Sequence, residues 1–191
     1  MAESPIERRR PYAVLVRRWP TALAVAAAVF VMVDASGGTP DVVDSLAELM
    51  PLLPLEYLIV TQVGRRGASW PTVGALAALV VVIGLLDVVP VSTVLAGAAL
   101  VVLVWGAISG TPHGRAVFGV QAAGMLGFGA FALAGLVVDP DLGRYLVAAG
   151  WFLHGVWDFV HLKLDKVVSR SYAECCGVID VLIAAQLVFL L

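Results

Sequence analysis

Seven apolar stretches of about 20 residues follow one another through this 191-residue chain. A helix rises about 1.5 Å per residue, so such a stretch crosses the roughly 30 Å hydrocarbon core of a bilayer. Hydrophobic residues make up 61% of the chain, well above the roughly 45–50% of soluble domains, and the mean hydropathy is +0.97. We therefore predict an all-α integral membrane bundle of about seven spans, over residues 19–33, 41–63, 70–89, 92–108, 116–138, 142–164 and 172–191.

The first 18 residues differ from the rest because they are polar and basic, with Arg8, Arg9, Arg10, Arg17 and Arg18. We predict a basic cytoplasmic segment over residues 1–18 and a single transmembrane domain over residues 19–191. A basic start before a short Ala-rich stretch is typical of a signal anchor and also of a cleaved signal peptide. The sequence leaves both readings open, and the later spans do not depend on the choice.

The distribution of Lys and Arg predicts the orientation. If the N-terminus is cytoplasmic, eleven of the twelve basic residues lie in inner segments and only Arg144 lies outside. Removing any one span would reverse all later loops and spoil this asymmetry. We therefore predict a multi-pass protein of a cell membrane, of the bacterial inner-membrane type, with its N-terminus inside and its C-terminus outside.

One predicted span carries a polar stripe that is costly to place in a membrane. His154, Asp158 and His161 stand at i, i+4 and i+7, so they point within about 60° of one another on a helix, and Asp165 extends the stripe by a turn. An unpaired ionisable group in a bilayer costs about 2.5–3.5 kcal/mol on insertion scales. Imidazole and carboxylate suit zinc or iron, so we predict a divalent metal bound by His154, His161 and Asp158. The alternative is hydrogen bonding between helices without a metal.

Three acids fall inside predicted spans, and all three lie at a similar depth. The predicted topology places Glu56 about seven residues from the inner end of its span, with Asp158 and Asp180 at comparable depths. This agreement predicts one shared polar pocket in which Glu56, Asp158 and Asp180 are the catalytic candidates. Each also has a structural reading, such as a hydrogen bond to a neighbouring helix or, for Glu56, to backbone freed by Pro51 and Pro54.

A motif spans the last two predicted helices: H-x-x-W-D-x-x-H, a short basic loop, then an aromatic residue, a Cys and an Asp. Its positions are His154, Trp157, Asp158, His161, Tyr172, Cys176 and Asp180. This pattern resembles a widespread group of small, uncharacterised bacterial and archaeal multi-span membrane proteins. The resemblance implies that these residues belong together and implies no activity. The placement of acids on the second and last helices is also similar to that in the integral-membrane terpene cyclases of meroterpenoid pathways.

Three functional hypotheses follow. The first is a membrane-embedded, metal-dependent enzyme that hydrolyses or transfers a group on a lipid or another hydrophobic small molecule. The second is a metal-free acid–base isomerase or cyclase of the terpene cyclase type. The third is a proton-coupled transporter, and a non-catalytic membrane subunit is the structural alternative. Membrane lipids are the expected partners in every case, no nucleic acid is expected, and the oligomeric state is left open.

Overall fold

The computed structural model describes residues 18–34 and 39–190, and within them it is 87% helical with no strands. The predicted all-α class is therefore confirmed. Residues 1–17 of the predicted basic segment lie outside the described residues. The helices are α1 Trp19–Asp34, α2 Thr39–Leu49, α3 Leu52–Val63, a 3₁₀ turn Arg66–Ala68, α4 Ser69–Leu86, α5 Val91–Ser109, α6 Arg115–Val137, α7 Pro140–Leu164 and α8 Arg170–Phe189.

Five described segments are long and apolar enough to cross a membrane. They are Val42–Val63, Arg66–Leu86, Val91–Ser109, Arg115–Val137 and Arg170–Phe189. The apolar part of α1 is shorter, and α7 is long enough at 25 residues but has Arg144, His154, Asp158 and His161 in its sequence. The membrane class thus rests on five candidate spans, while the count of seven and the orientation stay predictions.

The span Val42–Val63 lies at the centre of the bundle. Its helix is broken at Pro51, as expected for a proline inside a helical segment. Helix α2 ends at Leu49 and α3 begins at Leu52, with Met50 and Pro51 in a turn, because Pro51 has no N–H to continue the helix. About 72% of this span is buried, against 17% for the spans that contain α4 and α5. The residues of α3 are therefore the ones best placed to reach an interior site.

Helix α7 has a defined start and a defined end. Asp139 accepts a hydrogen bond from the Leu142 N–H at 3.1 Å, and Pro140 occupies the first turn. At the other end Asp165 adopts a left-handed conformation (φ 53°) and closes the helix. Asp165 is exposed and pairs with Arg66, whose guanidinium lowers the pKa of that carboxyl below its ordinary value. The prediction that Asp165 extends the stripe by a turn is therefore wrong. The helix ends at Asp165, and the exposed side chain does not continue the row of buried residues His154, Asp158 and His161.

Two glycines allow α7 and α8 to pack closely. A Cβ on Gly155 would lie 3.0 Å from a methyl of Val181 and 3.2 Å from the carbonyl oxygen of Gly177. A Cβ on Gly177 would in turn lie 3.2 Å from the Cβ of Asp158. These distances are shorter than ordinary carbon contacts of about 3.5–4.0 Å, so larger residues would push the helices apart. Among the glycines of α6, Gly119, Gly127 and Gly129 have open space around them, whereas a Cβ on Gly124 would lie 3.1 Å from the ring of Trp157.

Most described basic residues gather at one end of the bundle, which we call the basic end. It consists of residues 64–68, 110–114 and 165–169 with the adjoining helix termini. Gln62 donates to the carbonyl of Gly110 at 3.0 Å, and the Arg66 Nε donates to the carbonyl of Val168 at 3.0 Å. Of the eight Lys and Arg in the described part of the chain, only Arg144 belongs to the opposite end.

Candidate metal centre

The contact between α7 and α8 brings together three fully buried side chains, which we call the His–Asp–Asp cluster: His154, Asp158 and Asp180. The Nδ1 atom of His154 lies 2.8 Å from Oδ2 of Asp180 and 3.4 Å from Oδ2 of Asp158. One candidate ligand atom from each residue lies within 4.8 Å of the other two. The donor set of one imidazole and two carboxylates, converging from two helices, is suited to a divalent metal ion.

Helix α3 contributes the next side chain of the site. The hydroxyl of Tyr57 donates a hydrogen bond to Oδ1 of Asp158 at 2.5 Å, and Tyr57 is fully buried. Its ring packs against His154 and His161, with ring centroids 5.8 Å and 4.7 Å away. Tyr57 thereby fixes one oxygen of Asp158 and leaves Oδ2 facing the imidazole. Hydrogen bonds of this kind orient carboxylate ligands in metal sites.

Glu56 is also fully buried and lies on the same side of α3. Neither of its carboxyl oxygens has a hydrogen-bond partner among the described residues. Its electrostatic neighbours are Asp158, His154 and Tyr172. Glu56 and Asp180 therefore both lie near Asp158, while the predicted shared pocket and the catalytic roles of the three acids stay predictions. The alternative in which Glu56 caps backbone freed by the prolines finds no hydrogen bond to support it.

Buried polar atoms without partners are concentrated at this site. Within the described part of the chain they include both oxygens of Glu56, Nε2 of His154, Oδ2 of Asp158 and Oδ1 of Asp180. No described Lys or Arg forms an ion pair with any of the three acids. Buried carboxylates are normally paired, coordinated to a metal or kept neutral by a proton. The arrangement can therefore hold a cation or store protons, and both are chemically useful.

His161 lies next to the cluster but is not one of its members. Its Nδ1 donates to the carbonyl oxygen of Trp157 at 2.9 Å, so a neutral ring accepts at Nε2, where the amide nitrogen of Gln121 approaches to 3.1 Å. His161 stands seven residues after His154, a rise of about 10.5 Å along the axis, which separates residues that share a helix face. Asp180 instead occupies the third position near His154. A ligand role for His161 stays a prediction.

Two further residues of the site had weak signals in the sequence, and a third, Tyr172, belonged to the motif of the last two helices. Tyr57 adjoins Glu56, and Gln121 is a lone amide in the Gly- and Ala-rich α6, which could have marked it as an interior polar group. Tyr172 is fully buried and lies near Glu56 and Cys176. Cys175 and Cys176 are both free thiols, and neither belongs to the His–Asp–Asp cluster.

Comparison with known proteins adds no functional assignment. No family model, no curated protein and no solved structure matches the chain. The geometry and chemistry of the site are therefore the basis for the function of this protein.

Proposed function

We propose that this protein is a membrane-embedded, metal-dependent enzyme that acts on a lipid or another hydrophobic small molecule by hydrolysis or group transfer. The observation that carries the proposal is the His–Asp–Asp cluster, in which two buried carboxylates converge on one imidazole with no Lys or Arg paired to them among the described residues. A divalent cation held by His154, Asp158 and Asp180 would supply the missing positive charge. When bound, such an ion polarises a substrate oxygen or lowers the pKa of a water molecule.

The residues of the chain then have distinct roles. In the described arrangement the Nδ1–H of His154 donates to Asp180, so loading a metal on that nitrogen would release this proton. Tyr57 holds Asp158 in position through its hydroxyl. Glu56, buried nearby with two unpaired oxygens, is the group available to accept or deliver a proton during the reaction.

Metal content tests the proposal directly. We expect protein purified in detergent without chelator to contain about one equivalent of metal by plasma mass spectrometry. Zinc and iron are the ions predicted from the sequence, and the oxygen-rich donor set adds manganese. His154→Ala should lose the metal, while His161→Ala, a matched change two turns along the same helix, should retain it.

The two histidine variants separate the possible outcomes. Loss in both variants would restore His161 to the ligand set, provided that both still fold by circular dichroism. Absence of metal from the unmodified protein, even after incubation with each ion, would contradict the proposal.

A metal-free acid–base isomerase or cyclase is the second candidate. The fully buried Glu56, whose carboxyl oxygens have no partner among the described residues, favours it, because a buried acid that stays protonated can donate a proton to a hydrophobic substrate. The same metal measurement separates the two candidates, since this chemistry needs no bound ion.

We further propose seven spans in a cell membrane, with the N-terminus inside and the C-terminus outside. Counting α1 and α7 with the five candidate spans gives seven, and α7 packs between α6 and α8, which are themselves candidates. The positive-inside rule places the basic end in the cytoplasm. In intact cells, a membrane-impermeant maleimide should label Asp141→Cys above the background of the native protein. Thr111→Cys should label only after permeabilisation, and the reverse pattern would invert the proposed orientation.

A further inference from the structure

A second feature of the molecule is a cavity of about 410 Å³ at the basic end. Its polar lining comes from Arg66, His113, Gln121, His161, Asp165 and Lys166. Apolar side chains of α6 and the end of α7 complete the wall, among them Val120 and Leu164, which are 51% and 54% exposed. The cavity therefore combines a mostly apolar lining with several polar and charged side chains, and exposed apolar side chains flank its opening.

The positive charge of this cavity is only partly neutralised. Arg66 is engaged by Asp165 and by the carbonyl of Val168, so its charge is largely balanced. Lys166 is exposed, and no described carboxylate pairs with it. His113 also lines the cavity, and its Nδ1 donates to the carbonyl of Thr61 at 3.3 Å. These groups suit an anion.

A buried amide at the inner wall is the second observation that points to a ligand. Gln121 is 2% exposed, and its nitrogen is used by His161, so its Oε1 is the atom left without a partner. This oxygen can accept a hydrogen bond from a hydroxyl group. The cavity thus offers cationic groups for an anion and, beside them, a buried acceptor for a donor on the same molecule.

The cavity is also adjacent to the His–Asp–Asp cluster. His161, in the cavity wall, packs on the ring of Tyr57 at 4.7 Å, and the hydroxyl of Tyr57 contacts Asp158. One layer of side chains therefore separates a bound headgroup from the candidate ligands.

We propose that this cavity binds the phosphate headgroup of an amphiphile, with Lys166 and His113 contacting the phosphate and the hydrocarbon chain leaving past Val120 and Leu164. This goes beyond the proposed function, because it assigns a binding site for a phosphate ester of a hydrocarbon chain beside the candidate metal centre and does not depend on metal binding there. The apolar, lipid-facing opening is the reason to expect an amphiphile instead of free phosphate.

Binding of dodecyl phosphate to the full-length protein in neutral maltoside detergent tests the proposal, with native mass spectrometry as the readout. We expect one dodecyl phosphate per chain and at least about tenfold weaker binding in Lys166→Gln, as for the loss of a charged hydrogen bond. Lys163→Gln is the matched control, because Lys163 is also exposed, stands three residues earlier and does not line the cavity. It should change affinity less than twofold. Melting followed by circular dichroism should show both variants folded.

Three results would overturn the proposal. They are no binding to the unmodified protein, equal losses in the two lysine variants, and inorganic phosphate competing as well as dodecyl phosphate. The last result would mean that the cavity recognises the free anion. Metal content is a separate readout: protein with metal but no dodecyl phosphate binding refutes only the headgroup site. Binding without metal refutes only the proposed metalloenzyme.

Discussion

Removing divalent metal with a chelator is expected to lower the unfolding temperature of the purified protein by about 10 °C. A ligand bound at about a thousand times its Kd contributes about 4 kcal/mol to folding, and each kcal/mol shifts the unfolding temperature by about 2–4 °C in a chain of this size. The physical reason is that Asp158, Asp180 and the nearby Glu56 would be left around His154 without a cation. Thermal melting followed by circular dichroism, with and without chelator, gives the shift.

The double variant Asp158→Asn/Asp180→Asn is the informative control. The amides are uncharged, so they neither repel one another nor bind a metal strongly, and the chelator should leave this variant unchanged. His161→Ala, by contrast, should respond to the chelator as the unmodified protein does. A chelator shift that persists in the double variant would place the metal elsewhere. No shift in the unmodified protein would favour the metal-free acid–base reading.

Replacing Gly155 by Leu is expected to damage both the fold and the site. The new side chain would meet Val181 and the backbone of Gly177, so α7 and α8 could not pack as they do. Overpacking costs about 1–3 kcal/mol, which corresponds to a fall of about 2–12 °C in unfolding temperature. Because the helix pair positions His154 against Asp180, the metal content should fall by more than about half, a larger effect than the stability loss alone would give.

Gly127→Leu supplies the comparison for this variant. Gly127 lies in α6 with open space around it, so Leu there adds apolar surface without a clash. Replacing glycine by leucine in a helix is favourable by about 0.8 kcal/mol or more through helix propensity. This contribution is the same in both variants, so it cancels when the two are compared. Melting curves and metal content should therefore differ only through the packing of α7 against α8. Equal stability and equal metal content in the two variants would show that close approach at Gly155 is not required.

The helical class of this fold could be predicted because the relevant signals are local. These signals are carried by residues that lie close together in the chain. They are the apolar stretches of bilayer length, the break at Pro51 and the start of α7 at Asp139 and Pro140. Helix neighbours depend on contacts between segments that are distant in the chain, and local patterns of residues do not report these contacts. The close approach of α7 and α8 at Gly155 and Gly177 is one such contact between segments about twenty residues apart.

The candidate site was predicted in part for the same reason. The helical repeat placed His154 and Asp158 on one face, and similar depth linked them to Asp180 and Glu56. Face alone could not say whether His161 or Asp180 completes the cluster, because that depends on axial rise and on the position of α8. Tyr57 was missed since a tyrosine in an apolar helix is usually core, and only the contact with Asp158 distinguishes it.

The hydrogen bond between Tyr57 and Asp158 joins residues 101 positions apart, which has a consequence for biosynthesis. At about 5–20 residues per second, Glu56 and Tyr57 leave the ribosome roughly 5–20 s before Asp158, and longer before Asp180. Throughout that interval the nascent chain holds an acid at a position that the finished molecule buries. The burial of Glu56 and Tyr57 is therefore completed only when the last two helices arrive, so the final fifty residues of the chain complete the site.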